Sequence, residues 1–206
     1  MNYGEELAYW YLRLNGFFPL SNFVVHKSSH VTYTSDCDLV AVRHPNVYEE
    51  IGGKDDDWDD VLCSRLDFNR TIGLICEVKT GGYDRTKLFK TDNVRYAIGR
   101  LGIVPINRIE EISHQLMNSS TIDISDDLQI SKLLVGNLDE RPADYICVNL
   151  RSVRKFLRER VKKYPIEKFR DRMFFGSILF QELIDQTVLD DGGKTTGIPA
   201  RRKQHR

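Results

Sequence analysis

The sequence predicts an α/β domain: a central mixed β-sheet flanked by helices. Two runs, Cys37–Val42 and Thr71–Lys79, are hydrophobic on both faces, as strands buried between helical layers are. Segments with helical periodicity surround them. The order helix, three strands, helix, then mixed strands and helices is that of a mixed sheet covered by helices. At 206 residues, 41% hydrophobic and 29% charged, the chain has the length of one domain whose core needs no staple.

Residues 4–16 read as an amphipathic helix, with Leu7, Ala8, Tyr11, Leu12 and Leu14 as apolar positions and Gly16 as its stop. Phe17 to His26 follows as a strand. In the next strand, 37–42, Asp38 interrupts an otherwise apolar run. Residues 44–70 are polar, contain Gly52-Gly53 and predict a long loop or insertion. The third strand, 71–79, becomes polar at its C-terminal end. A helix over 86–99, a short strand at Gly102–Ile106 and a helix from Arg108 to Met117 come next, then a polar connection at 118–128. Ile130–Val135 and Asp144–Leu150 predict two more strands. Ser152 can cap a helix reaching Tyr164, and Asp171 to Thr187 predicts the last helix. Residues 1–190 are thus expected to form one domain, with an acidic insertion at 44–70, a basic helical part at 151–187 and a flexible basic tail at 191–206. The tail's Gly192-Gly193-Lys194-Thr195 lacks the earlier glycine, strand and helix of a phosphate-binding loop.

The net charge is zero, yet the halves differ. From Arg151 onward fifteen basic residues face seven acidic ones, a net of +8, which leaves −8 for residues 1–150. The acidic part is densest from Glu49 to Asp60, where seven carboxylates accompany only Lys54. Such a dipole can dock a polyanion on one side and hold a metal on the other; a solvated basic helix has the same charge pattern. In the 152–164 helix, Val153, Phe156, Leu157 and Val161 form a packing face. Arg151, Arg154, Lys155, Arg158 and Lys162 supply basic charge that can track nucleic-acid phosphates. No run of 18 apolar residues is present, so no membrane span is expected. The first residues lack a signal peptide's basic and apolar regions. Cys37, Cys63, Cys76 and Cys147 form no CxxC, which argues against zinc and predicts a reducing, cytoplasmic setting.

Glu77 and Lys79, two apart, point to one face of their strand, and Asp38 lies near the start of another apolar strand. Carboxylates inside a sheet are costly unless a cation compensates them. Hard oxygen donors favour Mg²⁺ or Mn²⁺ over zinc. On spacing alone, a water-facing Glu-Lys pair with Asp38 capping a turn accounts for the same residues.

The order of the pieces adds information. Gly4-Glu5-Glu6-Leu7-Ala8-Tyr9-Trp10-Tyr11-Leu12-Arg13-Leu14-Asn15-Gly16-Phe17 resembles the opening G-E-x-x-A-x-x-Y-L-x-x-x-G, followed by Phe or Tyr, of the Holliday-junction-resolvase-like branch of the PD-(D/E)XK nuclease superfamily. Asp36-Cys37-Asp38-Leu39-Val40-Ala41 and Cys76-Glu77-Val78-Lys79-Thr80 are similar to its two following strand motifs. The resemblance covers roughly residues 4–82. It implies a restriction-endonuclease-like core and a metal-dependent DNA nuclease. Asp38, Glu77 and the Val78 carbonyl would bind Mg²⁺, with Mn²⁺ able to substitute. Lys79 would orient or activate the attacking water, and Glu5 would contact the metal directly or through water. Glu6 competes for that role but points roughly 100° away from Glu5. Two features depart from the pattern: a 39-residue gap from Asp38 to Glu77 that holds the acidic insertion, and no Gln in Asp92-Asn93-Val94-Arg95-Tyr96.

The expected partner is DNA, and a homodimer is the simplest way to cut two strands. Two rivals remain: a non-catalytic nucleic-acid-binding module of the same fold, and a regulatory subunit that binds a protein partner through the acidic loop 49–60.

Overall fold

The computed structural model describes residues 1–25, 35–137, 142–170 and 177–190. Helix α1 (Tyr3–Leu14) starts at Asn2, whose side chain accepts the Gly4 and Glu5 amides while the Glu5 carboxylate takes the Asn2 amide, a complete capping box. Strands β1 (Phe18–Val25) and β2 (Ser35–Arg43) pair antiparallel. A one-turn helix α2 (Asp60–Cys63) interrupts the insertion before β3 (Thr71–Lys79). Helices α3 (Thr91–Leu101) and α4 (Ile109–Met117) lead into the β4 (Thr121–Ser125) and β5 (Leu128–Gly136) hairpin. Strand β6 (Ile146–Asn149) runs directly into α5 (Leu150–Lys163), and α6 (Ile178–Asp190) ends the described chain.

The six strands make one open mixed sheet in the order β1-β2-β3-β5-β4, with β6 also paired to β5. Strands β3, β5 and β6 are parallel, and the other pairs are antiparallel. The two-residue period of each strand divides its side chains between two cores. Leu39, Ala41, Leu74, Cys76, Leu133 and Val135 pack with α1, α5 and α6. Val40, Ile75, Ile130 and Leu134 pack with α3 and α4. Each fully buried aliphatic side chain contributes about 1.5–3 kcal/mol. Trp10 of α1 stacks on Phe180 of α6, with ring centroids 4.4 Å apart.

The expected fold class holds at the level of a mixed sheet flanked by helices. Four local expectations change. Gly102 adopts φ 66° as the left-handed cap of α3, so Gly102–Ile106 is a turn and not a strand. The 118–128 connection contains β4, whose Ile122 and Ile124 alternate with polar residues. Helix α5 is capped at Asn149, which accepts the Arg151 amide at 2.7 Å, and not at Ser152. Pro165–Arg170 forms a wide helical turn where the sequence offered no element; of the helix expected over 171–187, residues 171–176 lie outside the described residues and α6 runs from Ile178. The expected tail, 191–206, lies outside the described residues. Among those described, no helix is long and apolar enough to cross a membrane.

The insertion is bound down onto the far end of α5. Arg160 pairs with Asp57 at 2.9 Å and donates to the carbonyls of Asp57, Gly52 and, at 3.2 Å, Leu14. Lys163 and the Tyr164 hydroxyl reach the same carboxylate at 2.9 Å, and Lys168 pairs with Glu49. Burial penalises the Asp57 carboxylate, but the bonds from Lys163, Lys54, Tyr164 and Arg160 outweigh it and leave its pKa lowered.

Candidate active site

Strands β2 and β3 pair as far as Leu39 opposite Cys76. One residue further along each strand stand Asp38 and Glu77. There the Val78 N–H donates to Asp38 Oδ2 at 2.7 Å, so a side chain takes a main-chain donor that a ladder would otherwise engage. Within an extended strand the N–H and C=O of one residue lie on the same side. The Val78 carbonyl is therefore turned toward Asp38 and away from β5.

Lys79 Nζ lies 3.3 Å from Asp38 Oδ2 and 3.2 Å from Glu77 Oε2. Burial pulls the ammonium's pKa down, but the two carboxylates more than compensate and raise it, so Lys79 holds its proton at neutral pH. Glu77 is 9% exposed, and its other oxygen accepts the Phe89 amide at 2.7 Å. Three of the four residues expected from the sequence, Asp38, Glu77 and Lys79, thus come together.

The fourth is engaged elsewhere. The Glu5 carboxylate accepts the Asn2 amide at 3.0 Å and closes the capping box of α1. Glu6 accepts the Ser177 hydroxyl at the start of α6. Even so, α1 begins beside the site. A Cβ on Gly4 would lie 3.0 Å from Val78 Cγ1 and closer still to Thr80 Cγ2, so only glycine lets the helix start come this near the end of β3.

The same end of the sheet carries the start of α5. The parallel register runs Lys79 to Gly136 to Asn149, and α5 follows at once. Two strand spacings, roughly 10 Å, separate β3 from β6. Arg151, Arg154, Lys155, Arg158 and Lys162 line one open groove together with Glu159. Arg160 and Lys163, on the same helix, are turned to the insertion. The acidic loop therefore takes up charge from the opposite side of α5.

The two carboxylates suit a hard divalent ion because they already converge on one cation, the Lys79 ammonium. Among the described residues no group of three or more His, Cys, Asp or Glu side chains is arranged to hold a metal. The Val78 carbonyl, turned to the same side as Asp38, would be a further oxygen donor beside the two carboxylates.

Sequence reading missed Phe89 and Lys132. Lys132 could have been found: it is a lysine within an apolar strand, as anomalous there as Asp38 is in β2. Phe89 acts through its backbone amide, which leaves no mark in residue type. Arg95, in the stretch where the resemblance finds no Gln, pairs with Glu110 at 3.4 Å and covers the Tyr96 ring. No family model, no curated protein and no solved structure matches the chain.

Proposed function

We propose that the protein is a metal-dependent DNA nuclease with a restriction-endonuclease-like core, hydrolysing phosphodiester bonds at Asp38, Glu77 and Lys79. One observation carries this reading: the carboxylates of Asp38 and Glu77, from adjacent strands, converge within 3.3 Å of a single ammonium at the end of the sheet. Mg²⁺ or Mn²⁺ held by Asp38, Glu77 and the Val78 carbonyl would polarise a phosphoryl oxygen and lower the pKa of a bound water.

The chain's own residues would do the rest. Lys79, carrying its charge, orients the attacking water and stabilises the charge that builds on the phosphate. The basic face from Arg151 to Lys162, which starts at the same end of the sheet and runs along roughly 16 Å of α5, binds the substrate backbone. Glu5, now engaged in the capping box with Asn2, would contact the metal directly or through water. The four cysteines, Cys37, Cys63, Cys76 and Cys147, scattered and without a CxxC, support a reducing, cytoplasmic setting.

Supercoiled, linear, single-stranded and branched DNA, each incubated with the protein in Mg²⁺, Mn²⁺ or EDTA, test the proposal. Cutting in either metal and none in EDTA is expected. DNA retained without cutting on all four substrates would favour the non-catalytic binding module. A partner docking on 49–60 would have to use outward carboxylates such as Glu50 and Asp56, since Asp57 and Glu49 are paired internally.

A further inference from the structure

Phe89 is the one non-glycine among the described residues with a positive φ, 47°. A left-handed conformation costs a bulky L-residue on the order of 1–2 kcal/mol and persists only where its surroundings impose it. Here it aims the Phe89 N–H at Glu77 Oε1, 2.7 Å away. The ring above that amide is 3% exposed and lies 5.5 Å from the Tyr145 ring. Lys132 Nζ sits over the same ring, 5.5 Å from its centroid.

Lys132 is an unusual residue in that place. It stands opposite Ile75 in the β3–β5 ladder, one strand pair before Glu77 and Leu134 on the same face, and is 1% exposed. Its ammonium donates to the Met117 carbonyl at 3.2 Å. A lysine costs stability in an apolar core, where a leucine would pack without that penalty. What it contributes is a positive charge, anchored on the Met117 carbonyl, against the aromatic ring that carries the strained amide.

We propose that Lys132 and Phe89 are positioning residues for Glu77. The ammonium and the Tyr145 ring hold Phe89 in its left-handed conformation. The Phe89 amide then fixes Glu77 Oε1, which leaves Oε2 as the oxygen offered to a divalent cation. The proposal rests on the reading of Asp38 and Glu77 as a divalent-cation site. Outer partners of this kind typically change metal affinity by about 10–100-fold.

The test titrates Mn²⁺ alone into the full chain and reads free Mn²⁺ by electron paramagnetic resonance. The wild type is compared with Asp38→Asn, Lys132→Met, Phe89→Leu and, as a purely structural control, Leu116→Ala in the same core. Circular dichroism establishes that each variant is folded, and Phe89→Leu keeps the test open should Lys132→Met not fold. Wild type and Leu116→Ala should bind Mn²⁺ alike. Asp38→Asn should lose binding, and Lys132→Met and Phe89→Leu should weaken it by about tenfold or more. Wild-type affinity in Lys132→Met and Phe89→Leu, with binding lost in Asp38→Asn, would overturn the positioning role while leaving the ion site intact. Equal binding by wild type and Asp38→Asn would overturn the ion site and the positioning role with it.

Discussion

Asp57 and Arg160, 103 residues apart in the chain, form an ion pair at 2.9 Å with both side chains withdrawn from solvent. This pair turns the acidic insertion into part of the fold. Truncating one partner of a buried pair strands the other charge, which costs about 3–5 kcal/mol. Asp57→Ala should therefore lower the urea midpoint by that equivalent, and adding Arg160→Met should recover part of the loss. An Asp57→Ala variant as stable as wild type would mean that the insertion contributes little to folding.

The approach of α1 to β3 depends on Gly4. Alanine is the better helix former by roughly 1 kcal/mol, but a Cβ would press on Val78 and Thr80, and such overpacking costs about 1–3 kcal/mol. Gly4→Ala should be destabilising on balance, and Thr80→Ser, which removes the methyl it meets, should rescue it. Thermal unfolding of the single and double variants reads the coupling directly.

Lys132 gives the protein a distinctive alkaline response. Burial lowers its pKa from 10.5 to about 8 in the folded chain. Between those values the unfolded chain binds more protons, so this group's contribution makes stability rise with pH across that window. The full charge-burial cost, on the order of 3 kcal/mol, is present below pH 8 and gone above 10.5. Lys132→Met should therefore be more stable than wild type at pH 7, with the gap narrowing by pH 10. A gap independent of pH, measured by urea unfolding, would contradict this origin.

The two basic faces of α5 should behave differently toward DNA. Arg154→Ala and Lys155→Ala should weaken binding across sequences. Each should also make the slope of log affinity against log salt shallower, by about 0.9 for every phosphate left without its cation. Lys163→Ala should leave that slope unchanged, because Lys163 faces Asp56 and Asp57. Fluorescence anisotropy over a range of salt distinguishes the two cases.

Much of this architecture was legible in the sequence because β2 and β3 are apolar on both faces, a pattern that buried strands impose. Asp38, Glu77 and Lys79 were legible for the converse reason: charge in such strands demands compensation. Strand β4 was not, since five residues at a sheet edge with only two isoleucines resemble a polar loop until β5 pairs with them. The docking of the insertion was hidden as well. Seven carboxylates near one another read as repulsive, and only the fold brings Arg160, Lys163 and Lys168 to meet them. Glu5 shows a different limit, because one residue type serves equally as a helix cap and as a metal ligand.

The role proposed for Lys79 is tested by following cleavage of an end-labelled DNA duplex by wild type and by Lys79→Ala, in Mg²⁺ and in EDTA, with DNA affinity measured alongside. Wild type should cut only in Mg²⁺, and the variant should lose about 100-fold or more of that activity while its DNA binding persists. Equal cutting by both proteins, or cutting that survives EDTA, would contradict the proposal.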